Sequence, residues 1–211
     1  MAIVAADLFY FPNLEFFTAI YGFEEIALFP KAYFRRNSYI NRTEIRGANK
    51  VQRLSIPIQG RRPAIPQEEL KINFQEKWQL DHFRTIQSAY GKAPFFEHYF
   101  PFFQGFLENP PESLWNLNRD ILTVCLKLLG LSAKVAEYPT LHDFRPEKDL
   151  RGQISSNETW QKRGLYSPEP YFQLFGSDFE PNLSILDLLF CMGPEAKIII
   201  ESSAKKTLNN R

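Results

Sequence analysis

The first 29 residues already require strands and a helix to share one core. IVAADLFY, near the start, is a short apolar run of the buried-strand type. PNLEFFTAIYGF follows as a helix, with Pro12 at its start and Gly22 at its end, and EEIALF reads as a second strand. Strands interleaved with helices in this way give a mixed α/β domain.

The same alternation continues. YFRRNSYINRTEIRG and KVQRLSIPI alternate in part around the turn GANK and predict a hairpin, and GRRPAIPQ is a loop by its Gly and Pro content. NFQEKWQLDHFRTIQSAYG sets Trp78, His82, Thr85, Ile86 and Ala89 on one helical face. PFFEHYFPFFQGFLEN predicts a helix bent or interrupted at Pro101. SLWNLNRDILTVCLKLLG is the strongest helix, capped by Ser113 and stopped at Gly130. AKVAEYP is expected as a strand, residues 140–168 as a long polar loop, YFQLF as a short strand, SILDLLFCMG as a helix and AKIIIESS as a last strand. The expected fold is α/β, with α+β as the neighbouring class: a mixed sheet flanked by helices in one compact domain over residues 1–203. A frayed tail is expected over residues 204–211. Strand order does not follow from the sequence.

Composition narrows the function classes. With 211 residues and 44% hydrophobic content, the chain can build a core without disulfide or metal staples. A net charge of +1 sets no global field toward nucleic acid or an anionic membrane. The basic pairs Arg35-Arg36 and Arg61-Arg62 are local. A nucleic-acid-binding reading built on those four arginines is therefore the weakest of those considered. Cys125 and Cys191 sit in apolar runs and read as small core residues of a reducing compartment. The start MAIVAADLF has no basic segment or cleavage-like site, and no apolar run approaches 18 residues, so a cytoplasmic location without a membrane span is expected. No phosphate-cradling glycine loop, nucleophile elbow or zinc spacing occurs. With His82, His98 and His142 as the only histidines, no metal and no cofactor are expected. The 20 phenylalanines supply either a core or, in part, the walls of a pocket for a flat or sugar-like ligand.

Four constellations could carry chemistry. On the 78–89 face, His82 can exchange a proton near neutral pH, Thr85 can orient it or a substrate, and Trp78 can pack on a sugar or base. The alternative is a half-buried histidine tied to backbone beside a core tryptophan. The stretch YFRRNSYINRTEIRGAN offers Arg35, Arg36, Asn37, Asn41, Arg42, Arg46 and Asn49, which are either anion-capturing groups or a solvated hairpin surface. Asn182 and Ser184 precede an apolar helix, and Ser184 with Asp187 matches a capping box at a helix N-terminus that could also hold an anion. Asp149 to Arg151, in the polar segment, reads as an ion pair holding a loop.

Together these stretches resemble the WbqC-like family. The resemblance rests on LFYFPNLEFF, RRNSYINRTEIRGANKVQRLSIPI, KWQLDHFRTIQSAYGKAPFFEHY and PNLSILDLLFCMGP, spread over almost the whole chain. The matching positions are Pro12, Arg36, Asn37, Asn49, Ser55, Pro57, Trp78, His82, Thr85, Tyr90, Pro94, Asn182, Ser184, Asp187 and Gly193. The resemblance implies a bacterial protein of O-antigen-like surface-polysaccharide biosynthesis. It also suggests acyl or aminoacyl transfer to a nucleotide-linked amino sugar. It supplies no established catalytic residue. Longer relatives carry extra sequence where this chain has only the polar stretch after Tyr138.

Two functions follow as expectations. In the first, an enzyme uses His82 as general base with Thr85 beside it, and Trp78, Arg36, Asn37, Asn49, Tyr90 and Asn182 bind a sugar or sugar-nucleotide. In the second, a non-catalytic module of the same pathway binds a ligand or partner. A homo-oligomer is compatible with both.

Overall fold

The structure is a computed structural model and describes residues 2–35, 38–60, 65–140 and 145–209. Its central element is a four-stranded sheet in the order β5-β2-β1-β6, with every pairing parallel. The strands are β1 (Ile3–Ala5), β2 (Glu25–Leu28), β5 (Lys134–Glu137) and β6 (Lys148–Asp149). Helix α1 (Leu14–Ile20) makes the crossover from β1 to its parallel neighbour β2. The expected α/β architecture is present. Its antiparallel component is confined to a separate ribbon, β3 (Arg42–Arg46) with β4 (Val51–Ser55), around a turn at residues 47–50.

Alternation along the strands separates the two sheet faces. Val4, Ile26 and Leu28 enter the main core, while Ala5, Ala27 and Phe29 form a small second cluster with Ile3, Ala32 and Tyr138 packed on it. The main core is rich in phenylalanine: Phe9, Phe11, Phe16, Phe17, Phe103 and Phe190 are all fully buried. Phe190 alone packs against Tyr90, Phe96 and Phe103 at ring separations of 5.4, 5.1 and 6.2 Å. The aromatic excess is therefore spent chiefly on packing.

Helices α2 (Trp78–Tyr90) and α5 (Leu114–Leu128) fall where the periodicity predicts them. Ser113 caps α5 by accepting from the Asn116 N–H. The helix expected to break at Pro101 does so, giving α3 (Phe96–Tyr99) and α4 (Pro101–Glu108). Proline has no N–H to donate and occupies the first turn of α4 without cost. A four-residue helix, α6 (Trp160–Arg163), and α7 (Ile185–Met192) follow.

Three local expectations are corrected. AKIIIESS is not a strand; it lies in α8 (Ala196–Asn209), which also takes in much of the tail expected to fray. Ala196, Ile200, Ser203, Ala204 and Thr207 are buried while Ile198 is 60% exposed. One-sided burial at helical spacing overrides the β-preference of three consecutive isoleucines. YFQLF forms no strand. Side chains hold it instead: the Tyr171 hydroxyl donates to Asp187 at 2.6 Å and the Gln173 amide to Asp187 at 2.9 Å. The polar segment expected as loop contains β6, a two-residue strand defined only by its pairing with β1.

Candidate functional site

Chain order and strand order together single out one edge of the sheet. From β1 the chain moves to β2 and then β5 on one side, whereas β6 lies on the other. The gap beyond the carboxyl ends of β1 and β6 is thus a topological switch point, where open parallel sheets leave a crevice uncovered by crossover connections. A cavity of about 220 Å³ lies there, lined by Asp7, Phe9, Arg35, Ser38, Ile40, Gly152, Ile154, Ser155 and Asn157.

Each polar group there is held by backbone geometry. Asp7 follows β1 by two residues, and its carboxylate accepts the Gly152 N–H at 2.6 Å. Gly152 follows β6 with φ +70°, and a side chain at that position would overlap the Arg35 guanidinium. Glycine suits the left-handed backbone there, and any side chain would have to push the exposed end of Arg35 aside. The Ser38 hydroxyl donates to the Arg35 carbonyl at 2.6 Å, and the Ser155 hydroxyl oxygen accepts the Asn157 N–H at 3.1 Å. Beside the cavity, Arg151 grips Asp149 through Nε at 2.9 Å and Nη2 at 2.6 Å and lies 4.6 Å over the Phe29 ring. Burial raises the Asp7 carboxyl above the ordinary carboxyl range, while the Gly152 N–H and the charges of Arg35 and Arg151 pull it back. A partly desolvated carboxyl beside guanidinium groups can exchange a proton next to a bound anion.

Behind this wall lies a buried ion pair. Glu15 of α1 is held by Arg163, Nε to Oε1 at 2.7 Å and Nη2 to Oε2 at 2.5 Å. Arg163 also donates to the Ser155 carbonyl at 2.9 Å and to the Glu158 carbonyl, which fixes the irregular segment lining the cavity.

The expected site residues do not converge here. His82 is buried, its Nδ1 is 3.0 Å from the Tyr10 hydroxyl, and its ring packs edge-on against Trp78 at 5.2 Å. Burial lowers its pKa to about 4, so it is a neutral core histidine at neutral pH. Trp78 is likewise 4% exposed and forms no wall of the cavity. Thr85 donates to the Asp81 carbonyl at 2.6 Å and lines a different depression, where it meets Asn49. Tyr90 is buried, donating to Asp187 at 2.9 Å and accepting the Arg46 N–H at 3.1 Å. Asn182, at φ +58°, is engaged with Glu15: its Oδ1 accepts the Glu15 N–H at 2.9 Å and its Nδ2 donates to the carboxylate at 3.3 Å. Arg36 and Asn37 lie outside the described residues, as does His142. Ser184 caps α7 as expected, but Asp187 does not complete the box; it accepts from Tyr90, Tyr171 and Gln173.

Cys125 and Cys191 are buried, and burial pushes both thiols up, Cys191 to about 12, which leaves no thiolate nucleophile. Among the described residues there is no metal-binding cluster and no helix long and apolar enough to cross a membrane. A separate groove of about 410 Å³, lined by Phe74, Leu80, Phe83 and Leu107, has only Glu76, Lys77, Gln79 and Glu108 as polar lining and no cluster of buried polar groups.

Asp7, Ser155 and Asn157 escaped the sequence reading, and Arg35 was seen only as part of a basic hairpin. One signal was available: an acidic residue directly after the first buried strand of an α/β pattern stands at the carboxyl edge, where such folds bind ligands.

Comparison with known proteins gives two matches of different kinds. The model of the WbqC-like protein family matches residues 9–159 and 157–199. Uncharacterized protein Rv1507c of Mycobacterium tuberculosis is 26% identical over 234 aligned positions, covering 93% of this chain and 95% of the relative. No solved structure matches.

Proposed function

We propose, from the premise that this chain belongs to the WbqC-like protein family, that it binds a sugar-derived precursor at the β1/β6 edge and that Asp7 handles a proton there. Membership of the family suggests a role related to polysaccharide biosynthesis. The observation that carries the finer reading is the convergence of Asp7, Arg35, Ser38, Ser155 and Asn157 on one cavity at the switch point.

Size and chemistry shape the assignment. A cavity of about 220 Å³ falls below the roughly 300–1,000 Å³ that encloses a whole drug-sized ligand. It suits a single sugar ring, with Phe9, Ile40 and Ile154 against the apolar ring face and the hydroxyl and amide groups at its edge. Arg35, exposed at the rim, is suited to a phosphate outside the cavity. Within this reading the reaction is acyl or aminoacyl transfer to an amino sugar. The amine attacks an activated acyl carbon, the N–C bond forms as the leaving group departs, and Asp7 takes the amine proton. His82 has no part in this step, because its nitrogen is occupied within the core.

Calorimetric titration with a uridine-diphosphate-linked amino hexose tests the binding. Asp7→Asn and Arg35→Ala should each weaken it about tenfold or more with little change in thermal stability. Absence of binding to the unaltered protein, or affinity in both variants equal to that of the unaltered protein, overturns the assignment. Asp7→Asn saturated with ligand, and still without turnover of an added acyl thioester, supports the enzyme. Binding by the unaltered protein without turnover leaves the non-catalytic module.

A further inference from the structure

A second depression has a different chemistry. It measures about 430 Å³ and lies between the β3–β4 turn and one side of α2. The turn contributes Asn49 and Lys50, β4 contributes Gln52, and α2 contributes Arg84, Thr85 and Ser88. No carboxylate lines it. Elsewhere Arg46, Arg53, Arg119, Arg151 and Arg163 each pair with an acid. Among the described residues no ion pair joins Lys50 or Arg84 to an acid.

The arrangement is fixed from below. The Tyr90 hydroxyl at the end of α2 accepts the Arg46 N–H at the edge of the turn, at 3.1 Å, and itself donates to buried Asp187. Inside the turn, the Gly47 N–H donates to the Lys50 carbonyl at 3.0 Å. The turn thus has a set position against the helix, and Lys50, Arg84, Asn49, Gln52 and Ser88, all residues with donor groups, line one space. Thr85 donates to the Asp81 carbonyl, so it contributes shape rather than a donor. A concentration of donors without an acceptor of negative charge is complementary to a phosphate group.

We infer that this depression is a binding site for a phosphate-bearing small molecule, separate from the Asp7 cavity. Arginine supplies a planar fork for two phosphate oxygens and lysine a mobile point charge. The inference does not rest on the role given to Asp7, since no residue lines both cavities.

The test uses inorganic pyrophosphate and adenosine monophosphate as probes, followed by amide chemical shifts and calorimetry on the full chain. Shifts confined to residues 47–52 and 84–89, with millimolar or tighter affinity, are expected. Lys50→Ala and Arg84→Ala should each weaken binding about tenfold, and added salt should weaken it further. Both residues are exposed, so unchanged thermal unfolding separates a lost contact from a lost fold. Asp7→Asn should leave binding of these probes unchanged. Binding of pyrophosphate alone identifies a phosphate site, and binding of both probes identifies one that admits a nucleotide. No binding by the unaltered protein, or affinity in both variants equal to that of the unaltered protein, overturns the inference. So does affinity that appears only with a single-stranded oligonucleotide, which would make the surface a nucleic-acid contact.

Discussion

Arg163 and Glu15 form a two-toothed ion pair with side chains only 4% and 0% exposed, joining the short helix α6 to the crossover helix α1. Two charges removed from water are tolerable only when each meets the other with good geometry. Arg163→Ala would leave Glu15 buried without its cation and should cost about 3–5 kcal/mol. Arg163→Met combined with Glu15→Leu should cost much less. Urea unfolding of the three proteins measures the difference, and equal losses in the single and double variants would refute the pairing energy.

His82 gives the fold an acid-sensitive point. Its ordinary pKa is near 6.5, and burial lowers it to about 4 in the folded chain. Between these values the unfolded chain holds a proton that the folded chain does not, so unfolding takes up a proton. The stability is complete above pH 6.5 and is lost as pH falls toward 4. The full loss is on the order of 3 kcal/mol. His82→Gln, which can still meet the Tyr10 hydroxyl, should flatten this slope. Urea midpoints at pH 7.5, 6 and 5 would show it.

Gly152→Ala probes the cavity without changing any charged group. The new methyl would sit in a left-handed backbone at φ +70° and overlap the Arg35 guanidinium. A stability loss of about 1–2 kcal/mol is expected from the backbone. A loss of sugar-nucleotide affinity as large as that of Arg35→Ala is expected from displacement of Arg35. A variant destabilised yet binding normally would show that Arg35 has no part in capture.

Asp187 holds three donors at once, from Tyr90, Tyr171 and Gln173. Tyr171→Phe removes one donor and should cost about 1–2 kcal/mol. Asp187→Ala leaves the buried Tyr90 hydroxyl without its acceptor and should cost more, about 3 kcal/mol or above. Ser184→Ala, which removes the α7 cap and the hydroxyl bond to the Phe11 carbonyl, should cost about 1–2 kcal/mol. Thermal unfolding should show Asp187→Ala as the most severe of the three.

Local signals carried as far as local physics reaches. α2, α5 and the break at Pro101 were legible because apolar spacing, caps and proline act within a few residues. The Ile198–Ile200 run misled because branched side chains favour strands when nothing else decides, whereas burial at 196, 200, 203, 204 and 207 was a helical pattern already written in the chain. β6 had no signal of its own, since two residues show no period; only β1 makes it a strand.

Spacing along the chain was enough for the opening alternation of strand, helix and strand and for the place of α2 and α5. It also marked Trp78, His82 and Thr85 as sharing a helical face. Only the tertiary structure decided what that face meets: Tyr10, 72 positions away, takes the His82 nitrogen and makes it core. Only the tertiary structure set β6 beside β1, and so Gly152 against Asp7 across 145 positions. Such contacts depend on strand order, which is settled by long-range pairing and burial and leaves no trace in the spacing of neighbouring residues.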